Sequence, residues 1–567
     1  MDNSVFKIKI GGCAGQGIKY SGLILGKLAT RSGYNIYNYV EYPSLIRGGH
    51  NTIQVSISKD PVYGPSNKTD LLIALNQETV EKHLDELNEE SFLLFDEKNK
   101  INSNKGQVIL IPLSKFALEA GGEILTNSVA LGAATALLSG DIDLFKNLID
   151  EEFVDKDPKI RENNKKAVQL GYDYCQQKYK DKIKNILVKQ EITQAKMVIE
   201  GTEAIALGAI AGGLQFAAIY PMSPIANILH VLAYYQEKYG YIYKQPEDEI
   251  SAINMAIGAS FAGARSMTAT SGGGFCLMSE GFGLSAMTET PVVIVEGMRP
   301  GPATGLPTWS SQGDLQFVLN VHQGDFPRIV LAPGDAKEAF ELTLTAFNLA
   351  DKYQTPVVVL VDKNICEHNQ SFEIFDISSS EIDRGKFTKE LIPNYERYKI
   401  EADGISSRTI PGTGNFFITN SYEHDSFGFT TEDENEINTQ VEKRMTKLKT
   451  IKNDMPLPQL FGPEEADITL VSWGSNKGSI LEALKLFNNV NFLHLTWLSP
   501  FPNQAVKQRL EKSRHIIDIE CNYTGQLANL IREKTGIEIS DKLLKFDGRP
   551  FFKEEIIDKI NSVLKKL

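Results

Sequence analysis

The stretch Tyr220-Pro-Met-Ser-Pro224, followed by Glu247-Asp-Glu249 and an Ala/Gly-rich run over residues 252–274, decides the fold of this chain. Its two prolines brace a turn at the end of a predicted strand. The turn places the hydroxyl group of Ser223 at the carboxyl edge of a sheet, where open α/β folds bind ligands. Glu249 then opens a helix whose glycines and alanines allow close backbone approach. This order predicts an α/β domain with a ligand site at its strand ends.

Two further α/β units are predicted on either side of this stretch. Near the N-terminus, a strand over residues 6–10 runs into Gly11-Gly-Cys-Ala-Gly-Gln-Gly17 and an apolar helix, the start of a Rossmann-like unit. Other strands are predicted at residues 34–40, 71–74, 91–95, 107–111, 291–295, 326–331, 356–361, 467–472, 491–495 and 515–520. Alternating strands and helices imply parallel sheets. The sequence divides into three α/β parts, residues 1–190, 191–378 and 461–567. A polar connection over residues 379–460, with a charged helix at 439–451, joins the second part to the third.

Composition narrows the class of function. The 567 residues carry a formal net charge of -13, which argues against nucleic-acid binding because neutralising phosphates needs clustered Lys and Arg. No apolar run reaches the roughly 18 to 20 residues of a membrane helix, and no signal-peptide core opens the chain. We therefore expect a cytoplasmic protein with no membrane partner.

The five cysteines are widely spaced, so we expect no iron–sulfur cluster on this chain.

The motifs resemble one known family over nearly the whole chain. The turn from Tyr220 to Pro224 is similar to the Tyr-Pro-Ile-Thr-Pro turn in the pyrimidine-binding domain of the 2-oxoacid:ferredoxin oxidoreductases. The N-terminal glycine turn and Arg47-Gly-Gly-His50 resemble the gamma domain of that family. The resemblance implies a gamma domain fused to an alpha subunit. Its fold would be three open parallel-sheet domains of the Rossmann-like or thiamin type: gamma, pyrimidine-binding and transketolase-C-like.

The resemblance implies a catalytic role for Glu249. The family places a Glu nine residues before a helical glycine, and Glu249 precedes Gly258 by nine. By this match the Glu249 carboxyl group would share a proton with N1' of the aminopyrimidine of thiamine diphosphate, and Tyr220 and Pro221 would also contact the cofactor. The alternative is a carboxylate at a helix start, which the helix macrodipole favours without any ligand.

A second loop resembles the substrate pocket of the family. The segment Gly297-Met-Arg-Pro-Gly-Pro-Ala-Thr-Gly-Leu-Pro-Thr308 is similar to the family's Arg-x-Gly-Pro-Ser-Thr-Gly-x-Pro-Thr. By that match Arg299 would hold a substrate carboxylate in a charge-assisted contact, and Thr304 would donate a hydrogen bond. Ser223 keeps the hydroxyl of the family's Thr. The structural alternatives, an Arg paired with an Asp and a turn Ser, stay open.

The role of the N-terminal glycine turn is open. Tyr20 stands where a dinucleotide-binding Gly-x-Gly-x-x-Gly motif needs its last glycine, so the spacing fails. The resemblance suggests that Gly15, Gln16, Gly17 and Arg47 bind an anion such as a coenzyme A phosphate at a helix N-terminus. A turn that serves packing alone is an equal alternative.

Three other segments resemble the family: Tyr422-Glu-His-Asp425, Glu520-Cys-Asn-Tyr-Thr-Gly-Gln526 and Phe546-Asp-Gly-Arg-Pro550. They suggest an interface or a coenzyme A neighbourhood, with a structural role as the alternative. His424 is interpreted as a hydrogen-bonded loop histidine.

A thiamine enzyme also needs a site for Mg²⁺, usually Gly-Asp-Gly. Gly313-Asp-Leu315 and Gly324-Asp-Phe326 fail at the third position, so we expect no metal ligands here. The resemblance implies a beta subunit that carries the diphosphate, Mg²⁺ and 4Fe-4S sites, in a heterodimer or a dimer of heterodimers.

The implied reaction is oxidative decarboxylation of a 2-oxoacid with coenzyme A, giving acyl-CoA and CO₂ and reducing ferredoxin. We favour 2-oxoglutarate as the substrate, while pyruvate and branched or aryl 2-oxoacids stay open. The other function classes are a non-catalytic coenzyme A- or nucleotide-binding subunit and an assembly scaffold.

Overall fold

The computed structural model describes residues 5–45, 48–99, 105–378 and 381–567. The chain divides into two compact units. The first comprises Met1–Ile199, His368–Phe375 and Phe552–Asp558, and the second Glu200–Glu367, Asp376–Phe551 and Lys559–Leu567. Within the described residues, no helix combines the length and the apolar character needed to cross a membrane. The four-part boundaries inferred from the sequence stay a prediction.

The secondary structure alternates strands and helices along most of the chain. The strands are β1 Val5–Cys13, β2 Asn35–Glu41, β3 His50–Ser58, β4 Leu71–Ala74, β5 Phe92–Asp96, β6 Gln107–Ile111, β7 Lys196–Glu200, β8 Phe216–Ala218, β9 Ile242–Lys244, β10 Ser266–Ser271, β11 Val292–Met298, β12 Ile329–Leu331, β13 Pro356–Asp362, β14 Asn369–Glu373, β15 Gln459–Phe461, β16 Ile468–Trp473, β17 Val490–Leu495, β18 Trp497–Ser499, β19 His515–Glu520 and β20 Asp541–Leu544. The helices are α1 Ile18–Arg31, α2 Gln77–His83, α3 Leu113–Ala120, α4 Thr126–Leu137, α5 Ile142–Glu152, α6 Pro158–Lys178, α7 Gly201–Ala211, α8 Ala226–Tyr239, α9 Glu249–Phe261, α10 Gly272–Met287, α11 Leu315–Asn320, α12 Ala336–Tyr353, α13 Lys363–Glu367, α14 Glu434–Ile451, α15 Asn476–Leu484, α16 Asn503–Leu510, α17 Gln526–Thr535 and α18 Lys553–Leu564.

The first unit contains an eight-stranded sheet in the order β6-β5-β4-β1-β3-β2-β14-β7. Strands β6, β5, β4 and β1 are parallel, as predicted. Strand β3 was not predicted, and it pairs antiparallel with both β1 and β2. Because β3 follows β2 with no helix between them, the chain reverses there and half of this sheet is not parallel.

The second unit contains a seven-stranded sheet in the order β18-β12-β13-β11-β10-β8-β9. Strands β12 through β9 are parallel, and β18 adds antiparallel at the edge. All residues of β11 and β13 are buried, as expected for parallel strands covered on both faces. The carboxyl ends of β8, β10 and β11 therefore meet at one edge of the sheet.

A five-stranded sheet, also in the second unit, has the order β15-β17-β16-β19-β20. Its strands β17, β16, β19 and β20 are parallel, and β15 pairs antiparallel with β17. The chain leaves β17 and adds β18 to the seven-stranded sheet, where Leu331 faces Trp497. The largely parallel sheets confirm the predicted α/β fold class.

Candidate active site

The turn after β8 lies at the carboxyl end of the seven-stranded sheet. The amide of Ile219 donates to the carbonyl oxygen of Lys244 at 3.0 Å, which continues the pairing of β8 and β9 by one residue. The chain then turns through Tyr220 and Ser223, which are partly buried, and Pro221, which is exposed. Helix α8 follows directly. The structure thus places these predicted residues at the strand ends.

Glu249 is the first residue of α9, and its side chain is not used to cap the helix. The carboxylate of Asp248 accepts the amide of Ser251 at 2.7 Å and fills that role. Glu249 is 3% exposed, and its Oε1 has no hydrogen-bond partner among the described residues. Because leaving a buried polar atom unpaired costs about 1–3 kcal/mol, favourable helix-start electrostatics alone do not account for this burial.

A glycine lets the first turn of α10 pack closely against Glu249. A Cβ atom on Gly274, in the first turn of α10, would lie 2.6 Å from Oε1 of Glu249 and still closer to Oγ1 of Thr270. Thr270 is on β10, and its Oγ1 lies 4.0 Å from the sulfur of Met222 in the turn after β8. The starts of α9 and α10 and the ends of β8 and β10 therefore converge. A buried acceptor without a partner at this junction fits a ligand that brings its own donor, such as a ring nitrogen carrying a proton.

Arg299 and Ser223 are adjacent. The guanidinium Nη1 of Arg299 donates to the carbonyl oxygen of Ser223 at 3.0 Å. Gly297 makes this approach feasible, because a Cβ atom there would lie 2.5 Å from Cγ2 of Ile225. Among the described residues, Arg299 forms no salt bridge with an Asp or Glu within 4.0 Å. Burial lowers the pKa of Arg299, and the charge of Asp314 partly offsets that effect.

Thr304 lies apart from these groups. It is exposed, in a loop where Ala303 and Gly305 both have positive φ angles of 54° and 52°. A Cβ atom on Gly305 would overlap the carbonyl oxygen of Pro300, so the loop requires glycine there. Its predicted substrate contact stays a prediction.

A pair of neighbouring carboxyl groups was missed by the sequence analysis. Glu296, on β11, is fully buried, and Asp314, the residue before α11, is partly buried. Burial raises the pKa of both groups, and for Glu296 the charge of the neighbouring Asp314 raises the pKa further. Because two neighbouring carboxylates repel each other away from water, the pair favours protonation of one of them. Asp314 drew attention only within a failed metal motif, and no sequence signal connects it to Glu296.

The Glu520–Gln526 segment holds the chain around Asp314. Gln526 Nε2 donates to the carbonyl oxygen of Gly313 at 2.7 Å, and the Gln312 amide donates to that of Cys521 at 2.8 Å. Glu520 accepts the amide of Leu527 at 2.7 Å and the indole N–H of Trp473 at 3.1 Å. These contacts support the structural alternative for this segment.

Two other family-like segments are also engaged in packing. The Arg549 guanidinium stacks 3.8 Å above the ring of Trp309, while Tyr523 and Phe546 are exposed with ring centroids 5.1 Å apart. His424 is buried, and its Nδ1 lies 2.9 Å from the carbonyl oxygen of Tyr422. It is a hydrogen-bonded loop histidine, as predicted.

The N-terminal glycine turn is held mainly by internal contacts. The Oε1 atom of Gln16 accepts the amide of Cys13 at 2.7 Å. Gly17 precedes α1 with φ 69°, and a Cβ atom there would lie 2.6 Å from Nδ2 of Asn127. Gly15 is exposed with open space around it. Arg47 lies outside the described residues, so both readings of this loop stay open.

Comparison with known families matches most of the chain. Residues 207–444 match the family described as Pyruvate flavodoxin/ferredoxin oxidoreductase, thiamine diP-bdg. Residues 7–174 match the family described as Pyruvate ferredoxin/flavodoxin oxidoreductase. The first range contains Tyr220, Glu249 and Arg299. The candidate site therefore lies in a thiamine diphosphate-binding domain.

Individual proteins match over greater lengths. The 2-oxoacid:ferredoxin oxidoreductase subunit alpha of a Sulfolobus sp is 32% identical over 620 residues, covering 98% of this chain and 96% of that one. The 2-oxoglutarate synthase subunit KorA of Methanothermobacter marburgensis is 32% identical over 367 residues, covering 64% of this chain and 97% of that one. The structure of 2-oxoglutarate:ferredoxin oxidoreductase from Magnetococcus marinus, with 2-oxoglutarate, coenzyme A and succinyl-CoA bound, aligns with TM-score 0.93 and 30% identity over 99% of both chains.

Proposed function

Because this chain belongs to the 2-oxoacid:ferredoxin oxidoreductase family, as an alpha subunit, we propose that it forms the pyrimidine- and substrate-facing half of an active site that oxidises 2-oxoglutarate. The observation that carries the proposal is the buried, unpartnered Oε1 of Glu249 beside Gly274. The choice of substrate is supported by the names of the KorA relative and of the Magnetococcus marinus structure, which both specify 2-oxoglutarate.

Glu249, with Tyr220 and Pro221, would hold the aminopyrimidine of thiamine diphosphate. When bound, this cofactor supplies the electron-accepting ring that makes decarboxylation of a 2-oxoacid feasible. Glu249 would hold a proton at the pyrimidine nitrogen, because its Oε1 is buried and has no partner among the described residues. Burial also excludes water from this carboxyl group, which strengthens its hydrogen bond to the ring.

Arg299 and Ser223 would bind the carboxylate beside the reacting carbonyl. The contact from Nη1 to the Ser223 carbonyl oxygen orients the planar guanidinium and leaves its other N–H groups to meet a carboxylate. Thr304 would add a hydrogen bond after a movement of its exposed loop. The charge of Asp314 would partly balance that of Arg299 in the absence of substrate.

A beta subunit would complete the site. Exposed apolar side chains lie beside it: Ile250 and Met255 on α9 and Leu277 on α10. Gly258 on α9 is exposed, with open space around it, so it is available to a partner and does not pack within this chain. An apolar face of this kind favours a protein partner. That partner would carry Mg²⁺, the diphosphate site and a 4Fe-4S cluster that passes electrons to ferredoxin.

Coenzyme A would be the acyl acceptor. The loop with Gly15, Gln16, Gly17 and Arg47 is our candidate for its phosphate groups, because the α1 N-terminus has no side-chain cap and no acidic residue in its first turn.

The test is steady-state kinetics of the chain assembled with its beta subunit, coenzyme A and ferredoxin. We expect a higher kcat/KM for 2-oxoglutarate than for pyruvate or 2-oxoisovalerate. Arg299→Lys should lower kcat/KM similarly for all three, because every 2-oxoacid has the carboxylate that we assign to Arg299. A defect confined to 2-oxoglutarate would instead assign Arg299 to the distal carboxylate. Activity of a Glu249→Gln variant equal to wild type would favour a binding or scaffold subunit.

A further inference from the structure

A cavity of about 350 Å³ lies at the opposite edge of the seven-stranded sheet from the candidate active site. Its lining includes Gln215, Tyr241 and Arg265, which directly precede β8, β9 and β10. Its lining also includes Leu214, Tyr239 and Arg384. This volume is at the lower end of the range of small-molecule sites. The cavity combines two guanidinium groups with aromatic and aliphatic surface.

The charges around this cavity are unbalanced. Three guanidinium groups surround one buried carboxylate, Asp351, with nitrogen–oxygen distances of 3.6 Å for Arg265, 2.7 Å for Arg384 and 3.0 Å for Arg408. The exposed Asp383 offsets part of the excess charge near Arg265. A buried positive charge without a matching negative one is costly, so this cluster favours a further anion.

Helix ends account for two of the three arginines. Arg384 Nη2 donates to the carbonyl oxygen of Gly263 at 2.9 Å, and Arg408 Nη2 donates to that of Ser260 at 2.5 Å. Both carbonyl groups lie at the carboxyl end of α9, where the helix dipole favours cations. These two side chains are therefore explained as caps of α9.

Arg265 is not explained in this way. Its Nη2 donates to Oδ1 of Asn348 at 2.8 Å, but Nη1 and Nε have no hydrogen-bond partner among the described residues. The residue is only 3% exposed. Burial lowers the pKa of Arg265 to about 10, and the charge of Asp351 only partly opposes this. Nε lies 3.6 Å from the Asp351 carboxylate, which leaves Nη1 as the free donor. A buried guanidinium with a free donor beside a cavity has the chemistry of an oxyanion receptor.

We propose that this cavity is a second ligand site, in which Arg265 binds a carboxylate or phosphate group of a small organic anion whose apolar part packs against Tyr239, Tyr241 and Leu214. The site goes beyond the proposed catalytic function. Because it lies at the amino ends of the strands, its ligand does not compete with the 2-oxoacid. A rival explanation is water alone, since Arg265 also borders a cavity of about 10 Å³, roughly the space of one water molecule.

The proposal can be tested by isothermal titration of the full chain, assembled with its beta subunit, with phenyl phosphate, benzoate and inorganic phosphate. We expect saturable binding of phenyl phosphate or benzoate that saturating 2-oxoglutarate does not displace. The two arms distinguish a phosphate from a carboxylate ligand, and inorganic phosphate shows how much the ring adds. Absence of binding by all three probes at millimolar concentration would overturn the proposal in favour of bound water.

Variants identify the site. Arg265→Gln should weaken binding about tenfold or more, because a hydrogen bond to a charged group is lost. Arg299→Gln, which removes the guanidinium at the other sheet edge, is the matched control and should leave binding unchanged. If Arg265→Gln does not fold, Ile382→Trp, at an exposed residue of the lining, should block the cavity and weaken binding without touching the charge cluster. Equal binding by wild type and Ile382→Trp would overturn the proposal.

Discussion

At the scale of single residues, the site depends on one unpartnered carboxyl oxygen and on glycines that let backbone segments approach it. Glu249 has no capping role because Asp248 fills it. Gly274 brings α10 close to Glu249, and Gly297 lets the end of β11 approach the turn that contains Ser223. The site therefore requires both glycines as well as its polar residues. A Gly→Ala substitution, which adds one methyl group, tests each of them.

Glu249→Gln should leave folding and assembly intact but slow proton exchange at C2 of bound thiamine diphosphate by about 10² to 10⁴-fold, because an amide cannot share the pyrimidine proton. The measurement is NMR-detected exchange in the assembled enzyme. Glu247→Gln is the control, since Glu247 is exposed two residues earlier. An unchanged exchange rate would remove Glu249 from the mechanism.

Gly274→Ala should abolish or strongly weaken thiamine diphosphate binding in the assembled enzyme. The new Cβ atom would lie 2.6 Å from Oε1 of Glu249 and would displace it from the cofactor. Gly273→Ala is the matched control, because a Cβ atom there meets no atom within 4 Å. That control should bind normally and gain helix stability of up to about 1 kcal/mol. Titration of both variants decides the point, and equal affinities would show that the close approach of Gly274 to Glu249 does not matter for cofactor binding.

At the scale of helices and strands, the sequence predicted elements with strong local signals and missed those set by distant partners. The apolar runs of β11, β13 and β16 made those strands recognisable. Strand β3 was missed because its pairing with β1 and β2 depends on a reversal of chain direction rather than on a helical crossover. Helix α14 begins at Glu434, five residues before the predicted start, because Asp433 accepts the amides of Asn435 and Glu436 and caps it there.

The same limit applies to the site. The turn at Tyr220 and the loop at Arg299 were recognisable because each is a contiguous motif. The Glu296–Asp314 pair was not, because 18 residues separate its members and nothing in either local sequence specifies the other. Contacts of this kind arise only from packing of the sheet ends.

Helix α14 has a buried basic face that composition could not reveal. Lys443 and Lys447 are fully buried and lie 2.5 and 2.6 Å from the two carboxylate oxygens of Glu289. Burial alone raises the pKa of Glu289, but the charges of Lys443, Lys447 and Arg397 outweigh it and hold that pKa well below its usual range. The acidic residues Glu434 and Glu442 face solvent. The helix thus docks through its charges, and Glu289 is the carboxylate that both buried lysines share.

Glu289→Gln should therefore destabilise the second unit by about 3–5 kcal/mol, because it leaves two buried lysines without a counter-charge. Urea unfolding at pH 7, followed by circular dichroism, measures the effect. Since the pKa of Glu289 is lowered by folding, its contribution is fully present above the usual Glu pKa and is lost as pH falls through the lowered value. Glu442→Gln, on the exposed face of α14, should change stability by less than about 0.5 kcal/mol. Equal effects of the two changes would refute the proposed role of Glu289.

At the scale of the whole molecule, the proposed function gives the chain half of an active site. In that proposal Glu249 faces the pyrimidine and Arg299 faces the substrate. Asp314 lies in the segment that most nearly matches a metal motif, and its neighbour there is the buried carboxyl group of Glu296. Among the described residues, no three His, Cys, Asp or Glu side chains are grouped in a way that could hold a metal ion. The exposed apolar side chains of α9 and α10 lie beside this half-site, where a beta subunit would supply the rest.

The purified chain alone should therefore bind thiamine diphosphate with Mg²⁺ at least tenfold more weakly than the assembled enzyme. The diphosphate and metal contacts, each a charged interaction of about 1.5–3 kcal/mol, would be missing from the isolated chain. Calorimetric titration of the isolated chain and of the cofactor-free complex measures the difference. Substituting Met255 and Leu277 by Asp should give the same weak binding in a mixture with the beta subunit, because charges on the exposed apolar face oppose docking.

Iron analysis of the isolated chain is the second measurement, and no iron is expected from its widely spaced cysteines. Stoichiometric iron with labile sulfide, or full cofactor affinity of the chain alone, would show that the division of labour between the subunits is different.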